Sequence, residues 1–248
     1  MPEIYILGAK INDVSLNEAM NLIADFLITK KKGFVVTPNP EICLISYKDK
    51  IFRRIIQNSF LSIPDGSGLK LGSRILGDEL NNKTTGADLS QKILELAEQK
   101  NYSILILGGK QEIGEKALQN IKCKYPNLKI YYLNGGTFDN LGYSNDANLV
   151  EKINQINPDI ICIMLGAPKQ EYFMSANLDK LNAKLMLGLG GTIDFLAGQI
   201  IRAPEKLRKM GLEWLWRLYI EPWRWKRIIN AVIIFPITCF IYKHQKHE

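Results

Sequence analysis

Residues 160–171 read I-I-C-I-M-L-G-A-P-K-Q-E. The first six are a continuous apolar run, too short to make a helix worth burying and ended by a small-residue, proline-containing break. Such a run reads as a strand covered on both faces. The break carries a lysine, an amide and a carboxylate, and a helix is expected just beyond it, over about 170–178. The same order recurs on either side. Upstream, the runs 34–36, 61–63 and 103–107 end in T-P-N-P-E (37–41), Pro64-Asp65-Gly66 and Gly108-Gly109-Lys110. Downstream, the run 185–189 ends in Gly190-Gly191-Thr192.

Between these runs lie stretches of helical period. Ser15 caps one whose apolar face is Ala19, Leu22, Ile23 and Phe26. Others are expected over about 41–58, 68–76, from T-T-G-A-D-L (84–89) to about 100, 112–125 and 145–156, with further strands at 4–7 and 129–133. Alternating helices and wholly apolar strands specify an α/β chain, Rossmann-like, with a mostly parallel sheet and helices on both faces. Ligands of such sheets bind at the carboxyl ends of the strands. The polar and glycine-rich motifs all follow strands, so they should meet along one edge.

With 46% apolar and 23% charged residues, the chain can build an ordinary globular core. Cys43, Cys123, Cys162 and Cys239 form no C-x-x-C pair and read as reduced thiols of a cytoplasmic protein. No signal peptide is read at the N-terminus. The two histidines, His244 and His247, sit in the tail, which leaves carboxylates as the candidates for acid–base work.

The charge is lopsided. From Arg202 onward ten basic residues face four acids, giving +6 of the net +7. We read residues 1–198 as the catalytic domain and 199–248 as a basic, tryptophan-rich helical appendage. In it Leu207, Met210, Trp214, Leu215 and Leu218 recur at helical spacing, and Pro222 interrupts them. Trp223, Trp225 and the adjacent Arg224, Lys226 and Arg227 then lead into an apolar run of roughly 15 residues, short of the ~20 that a spanning helix needs. An interfacial helix on an anionic membrane surface is the expectation. A packed hairpin, a homo-oligomer interface or a nucleic-acid surface stay open on composition alone, although a nucleic-acid role would leave the strand-end motifs without purpose.

Asp65 follows a strand and precedes a helix opened by Gly66-Ser67-Gly68, where a backbone can approach a ligand closely. A carboxylate there suits general-base catalysis on a hydroxyl; as a bare pattern it fits a turn or cap equally well. Thr37 and Asn39, on a proline-stiffened turn, suit hydrogen bonding to a sugar. Gly109, Lys110 and the 166–171 segment suit a diphosphate and a nucleobase, although neither is a P-loop or a G-x-G-x-x-G. No D-x-D pair offers itself to Mg²⁺, so no metal site and no cofactor are expected, and a departing diphosphate would rely on Lys83, Lys110, Lys169 and the appendage arginines.

Taken in order, V-T-P-N-P-E-I (36–42), I-P-D-G-S-G (63–68), T-G-A-D-L (85–89), I-L-G-G-K (106–110), L-G-A-P-K-Q-E (165–171), G-G-T-I-D-F-L-A-G (190–198), R-A-P (202–204), G-L-E-W-L-W-R-L (211–218) and E-P-W-R-W-K-R (221–227) resemble the WecG/TagA/CpsF glycosyltransferase family. The resemblance covers nearly the whole chain. It implies a metal-independent, inverting transferase of a UDP-sugar, typically N-acetylmannosamine, to N-acetylglucosamine linked by diphosphate to undecaprenol, in teichoic acid or surface-polysaccharide synthesis. It implies Asp65 as the base and Thr37 and Asn39 in the acceptor or sugar pocket. Gln170 falls on the nucleotide side, and Arg217, Arg224 and Arg227 lie in a segment closing over the site at the inner face of the plasma membrane. Lys83 stands where the family usually carries arginine. A different UDP-sugar, such as the uronic acid or glucose, and a non-catalytic nucleotide- or lipid-binding protein are the alternatives.

Overall fold

In chain order the elements are β1 (Glu3–Ile6), β2 (Ala9–Asn12), α1 (Leu16–Leu27), β3 (Gly33–Val36), α2 (Pro40–Lys48), α3 (Lys50–Asn58), β4 (Leu61–Ser62), α4 (Gly68–Leu76), α5 (Gly86–Lys100), β5 (Ile104–Leu107) and α6 (Gln111–Lys124). Then follow β6 (Ile130–Leu133), α7 (Leu149–Ile156), β7 (Ile160–Ile163), α8 (Lys169–Asn177), β8 (Leu185–Gly188), α9 (Thr192–Leu196), α10 (Glu205–Lys209) and α11 (Glu213–Ile220). A terminal helix, Pro222–Gln245, ends the described chain. This computed structural model describes residues 2–245. Lys246, His247 and Glu248 of the basic tail lie outside the described residues, as do the side chains of Arg208 and Lys209.

Six strands form one parallel sheet in the order β4-β3-β8-β7-β5-β6. Alternate side chains of each strand enter opposite cores. Phe34, Val36, Leu105, Leu107, Ile161, Ile163 and Met186 pack on one face, and Val35, Leu61, Ile104, Ile106, Ile160, Cys162 and Leu187 on the other. This is why the strands are apolar throughout rather than alternating. Each such side chain stabilises the fold by roughly 1.5–3 kcal/mol on burial. The α/β expectation holds, and the strand-end motifs do line one edge of the sheet.

Three details differ from the sequence reading. The strand expected at 4–7 is one arm of a separate antiparallel hairpin, β1–β2. Its two-residue loop, Leu7-Gly8, has φ of +52° and +84°, as a type I′ turn requires. A leucine in that role conceals the turn in the sequence. The helix expected over 41–58 is two helices. Asp49 has an extended backbone and caps α3 by accepting hydrogen bonds from the Ile51 and Phe52 N–H groups. A short helix, α9, also follows Gly191, where the sequence reading placed no element.

The tail is longer and better anchored than its composition suggests. The terminal helix runs for 24 residues, long and apolar enough to cross a membrane by length and composition. A π-turn over Asn230–Ile234, with the Phe235 N–H bonded to the Asn230 carbonyl, precedes Pro236. That widened turn accommodates the proline, which lacks the N–H of a regular helix. One stripe packs on the domain: Phe235 and Cys239 are fully buried, and Tyr242 meets Tyr47 edge-on at 5.8 Å. Gly72 of α4 makes room, because a Cβ there would overlap the Phe235 ring. The opposite stripe, with Ile233, Ile237, Phe240 and Ile241, is exposed.

Candidate active site

Asp65 stands where two of the strand-end motifs and the segment that opens α5 are stitched together by backbone. Its N–H donates to the Pro38 carbonyl at 2.8 Å, and the Thr84 N–H donates to the Pro64 carbonyl at 2.8 Å. Asp65 and Thr84 form a parallel bridge, so the T-P-N-P and T-T-G-A-D segments flank the aspartate like added strands. Its carboxylate accepts from the Gly86 N–H, at the start of α5. The carboxyl group is pushed up to about 7. Burial contributes most, the nearby acids Glu213 and Asp88 add to it, and the Gly86 N–H and Arg217 oppose it. A carboxylate poised near neutrality, next to a cation, is matched to taking a proton from a hydroxyl.

A cleft of about 300 Å³ opens between the ends of β5, β7 and β8. The connection from β5 runs outward to β6, whereas that from β7 returns to β8, so the cleft lies at the point where the strand order reverses. Gly109, Lys110, Gly166, Gly190, Gly191, Asp194 and Arg227 are among its walls. Gly109, Gly166 and Gly190 have positive φ, so exposed backbone rather than side chain faces much of the space. Such a glycine-walled, cation-rimmed cleft is chemically suited to a nucleoside diphosphate.

The appendage is fastened across this edge. Arg202 pairs with Asp88 at 2.7 Å and donates to Thr85 Oγ1 at 2.9 Å. Ser67 donates to the Gly211 carbonyl at 3.1 Å, and Arg227 grips Glu41 through Nε and Nη2 at 2.9 and 2.6 Å. α11 thereby brings Glu213 and Arg217 to bear on Asp65, and Arg217 lies 4.7 Å over the Phe195 ring. Arg217 and Arg224 also act on Asp194. Burial raises its carboxyl group, and those two arginines with Lys110 pull it back down.

The sequence-predicted residues therefore occupy distinct stations. Asp65, Gly66 and Arg217 lie at the β4 end; Gly109, Lys110 and Arg227 line the cleft, and Arg224 reaches to Gly191. Lys83 is exposed beside Thr84. Thr37 is buried and donates to the Gly188 carbonyl at 3.0 Å, while Asn39 caps α2 through the Ile42 N–H at 3.1 Å. Gln170 is 3% exposed; its oxygen accepts from the Gly190 N–H and its nitrogen donates to Glu171, so it braces the cleft wall. Sequence reasoning passed over Arg202, Asp88, Asp194, Glu213 and Glu221. Each sits inside a quoted motif, but no local pattern marks it: Arg202 pairs with Asp88 across the chain, Glu213 and Glu221 pair with arginines of the appendage, and Asp194 faces Arg217 and Arg224. No cluster of three or more His, Cys, Asp or Glu gathers among the described residues.

Residues 4–248 match the model of the "Glycosyl transferase WecG/TagA/CpsF family". The chain is 34% identical over 239 residues to the N-acetylglucosaminyldiphosphoundecaprenol N-acetyl-beta-D-mannosaminyltransferase of Bacillus subtilis strain 168, covering 94% of this chain and 90% of that protein. Proteins of the same name from Bacillus spizizenii and Staphylococcus aureus strain MRSA252 are 29% and 28% identical, covering 91% and 98% of this chain and 85% and 92% of theirs.

Proposed function

The chain belongs to the WecG/TagA/CpsF family of glycosyl transferases, and from that premise we propose that it transfers N-acetylmannosamine from UDP-N-acetylmannosamine to N-acetylglucosamine carried on undecaprenyl diphosphate. The observation that carries the reading is Asp65. It is a carboxyl group raised to about 7, at the carboxyl edge of the sheet and beneath an arginine-bearing appendage.

The step is a single displacement with inversion. The acceptor hydroxyl gives its proton to the Asp65 carboxylate as its oxygen bonds to the anomeric carbon. The bond from that carbon to the diphosphate oxygen breaks, and its electron pair leaves with UDP. Arg217, Arg224, Arg227, Lys110 and Lys83 neutralise the departing charge, which is the service a metal would otherwise give. Thr37 and Asn39 shape the turn beside the acceptor, and Gln170 holds the Gly190 turn of the nucleotide cleft.

A lipid-bound acceptor requires the protein to work at a membrane. The exposed stripe of the terminal helix, with Trp223 and Trp225 at one end and Lys243 at the other, is suited to lie in the headgroup layer. Its buried stripe holds it to the domain, which favours a peripheral position on the inner face of the plasma membrane over a free span.

The test is a donor screen with the full chain and a synthetic lipid-diphosphate-N-acetylglucosamine acceptor in anionic vesicles. Transfer is expected from UDP-N-acetylmannosamine, with UDP released in equal amount and only in the presence of acceptor. Transfer from UDP-glucose or the uronic acid alone would change the donor. UDP binding without any transfer would leave a binding protein and remove the catalytic reading.

A further inference from the structure

Glu221 lies outside every role given above, yet it joins the appendage's cations. It directly precedes the terminal helix and is only 6% exposed. Its two oxygens serve different arginines. Oε1 accepts a hydrogen bond from Arg224 Nε at 2.8 Å, and Oε2 makes an ion pair with Arg217 Nε at 2.5 Å. A buried carboxylate is costly unless paired, and two neighbouring guanidinium groups repel unless an anion lies between them. Each problem is the other's solution.

The contacts run along the Nε edges of the two arginines. Both guanidinium groups face α9: Arg224 Nη2 stands 3.7 Å from where a Cβ on Gly191 would be, the Arg217 guanidinium lies over Phe195, and both act on Asp194, which lines the cleft. A fork presented this way matches two phosphate oxygens, which an unordered arginine does not. We propose that Glu221 is a positioning residue that holds Arg217 and Arg224 side by side, so that both guanidinium groups meet one diphosphate in the cleft beside Gly109 and Gly191. This rests on the transferase reading. A carboxylate that merely occupied the arginines until substrate displaced it would have the opposite effect on affinity, and edge-on pairing leaves nothing for the diphosphate to displace.

The probe is UDP, titrated calorimetrically into the full-length wild-type chain and E221Q, with melting temperatures and donor kinetics in parallel. E221Q is expected to weaken UDP binding and raise the donor KM about tenfold, the size of one lost hydrogen bond between charged groups. Its melting temperature is expected to fall, because the two arginines lose the anion between them, so UDP affinity is compared well below the transition of either chain. E221D keeps the charge but is one methylene too short to span both arginines, and the same loss is expected. In an R217A/R224A background, E221Q should leave UDP affinity within about twofold, because Glu221 then has nothing to hold. Wild-type or tighter affinity in E221Q or E221D overturns the proposal, and so does an undiminished loss in the double-arginine background. A wild-type chain that binds UDP but transfers no sugar ends the transferase reading alone; one that does not bind UDP ends both.

Discussion

Replacing Asp65 with Asn is expected to lower kcat by roughly 10²–10⁴, the usual worth of a positioned general base. UDP affinity should stay within a few-fold of wild type. The asymmetry follows from where the residue sits. Asp65 follows β4 at the outer edge of the sheet, whereas the cleft suited to UDP is walled by the segments after β5, β7 and β8. Asparagine keeps the shape, and its side-chain oxygen still accepts from the Gly86 N–H, so the local fold should survive. It removes only the ability to take up a proton. Steady-state rates at saturating donor and acceptor, with UDP titrated separately, check both halves. Turnover near wild type in D65N would remove the base from the mechanism.

Arg217→Ala is expected to cost about 10²–10³ in kcat, the effect of removing one preorganised group that stabilises a departing anion. Arg217→Lys should recover only part of it, since lysine supplies the charge without the planar fork. A second signature is specific to this site. Arg217 draws the Asp65 carboxyl group downward, so its loss should move the pH midpoint of activity to a higher value. Point variants test the appendage better than truncation does. Deleting residues from about 200 onward strips Phe235 and Cys239 from the fully buried Leu69 region of α4, and that opens the core as well as the site. A truncated chain that loses activity would therefore not identify the cause, whereas R217A with an unchanged melting temperature would.

Much of this was legible in the sequence. Continuous apolar runs such as Ile160–Ile163 ending in glycine-containing joints specify parallel strands and place the motifs on one edge. Asp65 and Gly109 could be singled out because their surroundings are local: a strand, a tight turn and a helix start. The pairing of appendage to domain could not be read. Arg202 with Asp88, Arg227 with Glu41 and Ser67 with Gly211 are each separated by more than a hundred residues, and no periodicity encodes them. Glu221 was hidden for a related reason, since an acid among arginines in a basic helix reads as an i, i+4 surface pair until its burial is known. The tail's two-sided character was also out of reach. Phe235 and Cys239 look like any members of an apolar run, and only Gly72 across the interface explains which face turns inward.

The most direct test of Asp65 as the base is the pH dependence of kcat/KM for the wild-type chain, measured beside D65N. Only the ionised carboxylate accepts a proton, and its carboxyl group is raised to about 7. The rate should therefore rise about tenfold per pH unit below the midpoint, bend near neutrality and level off above it. The residual activity of D65N should lack that bend. A wild-type profile flat from pH 5 to 8, or the same bend persisting in D65N, would contradict the assignment (on the order of two decades separate the two outcomes at the acid end).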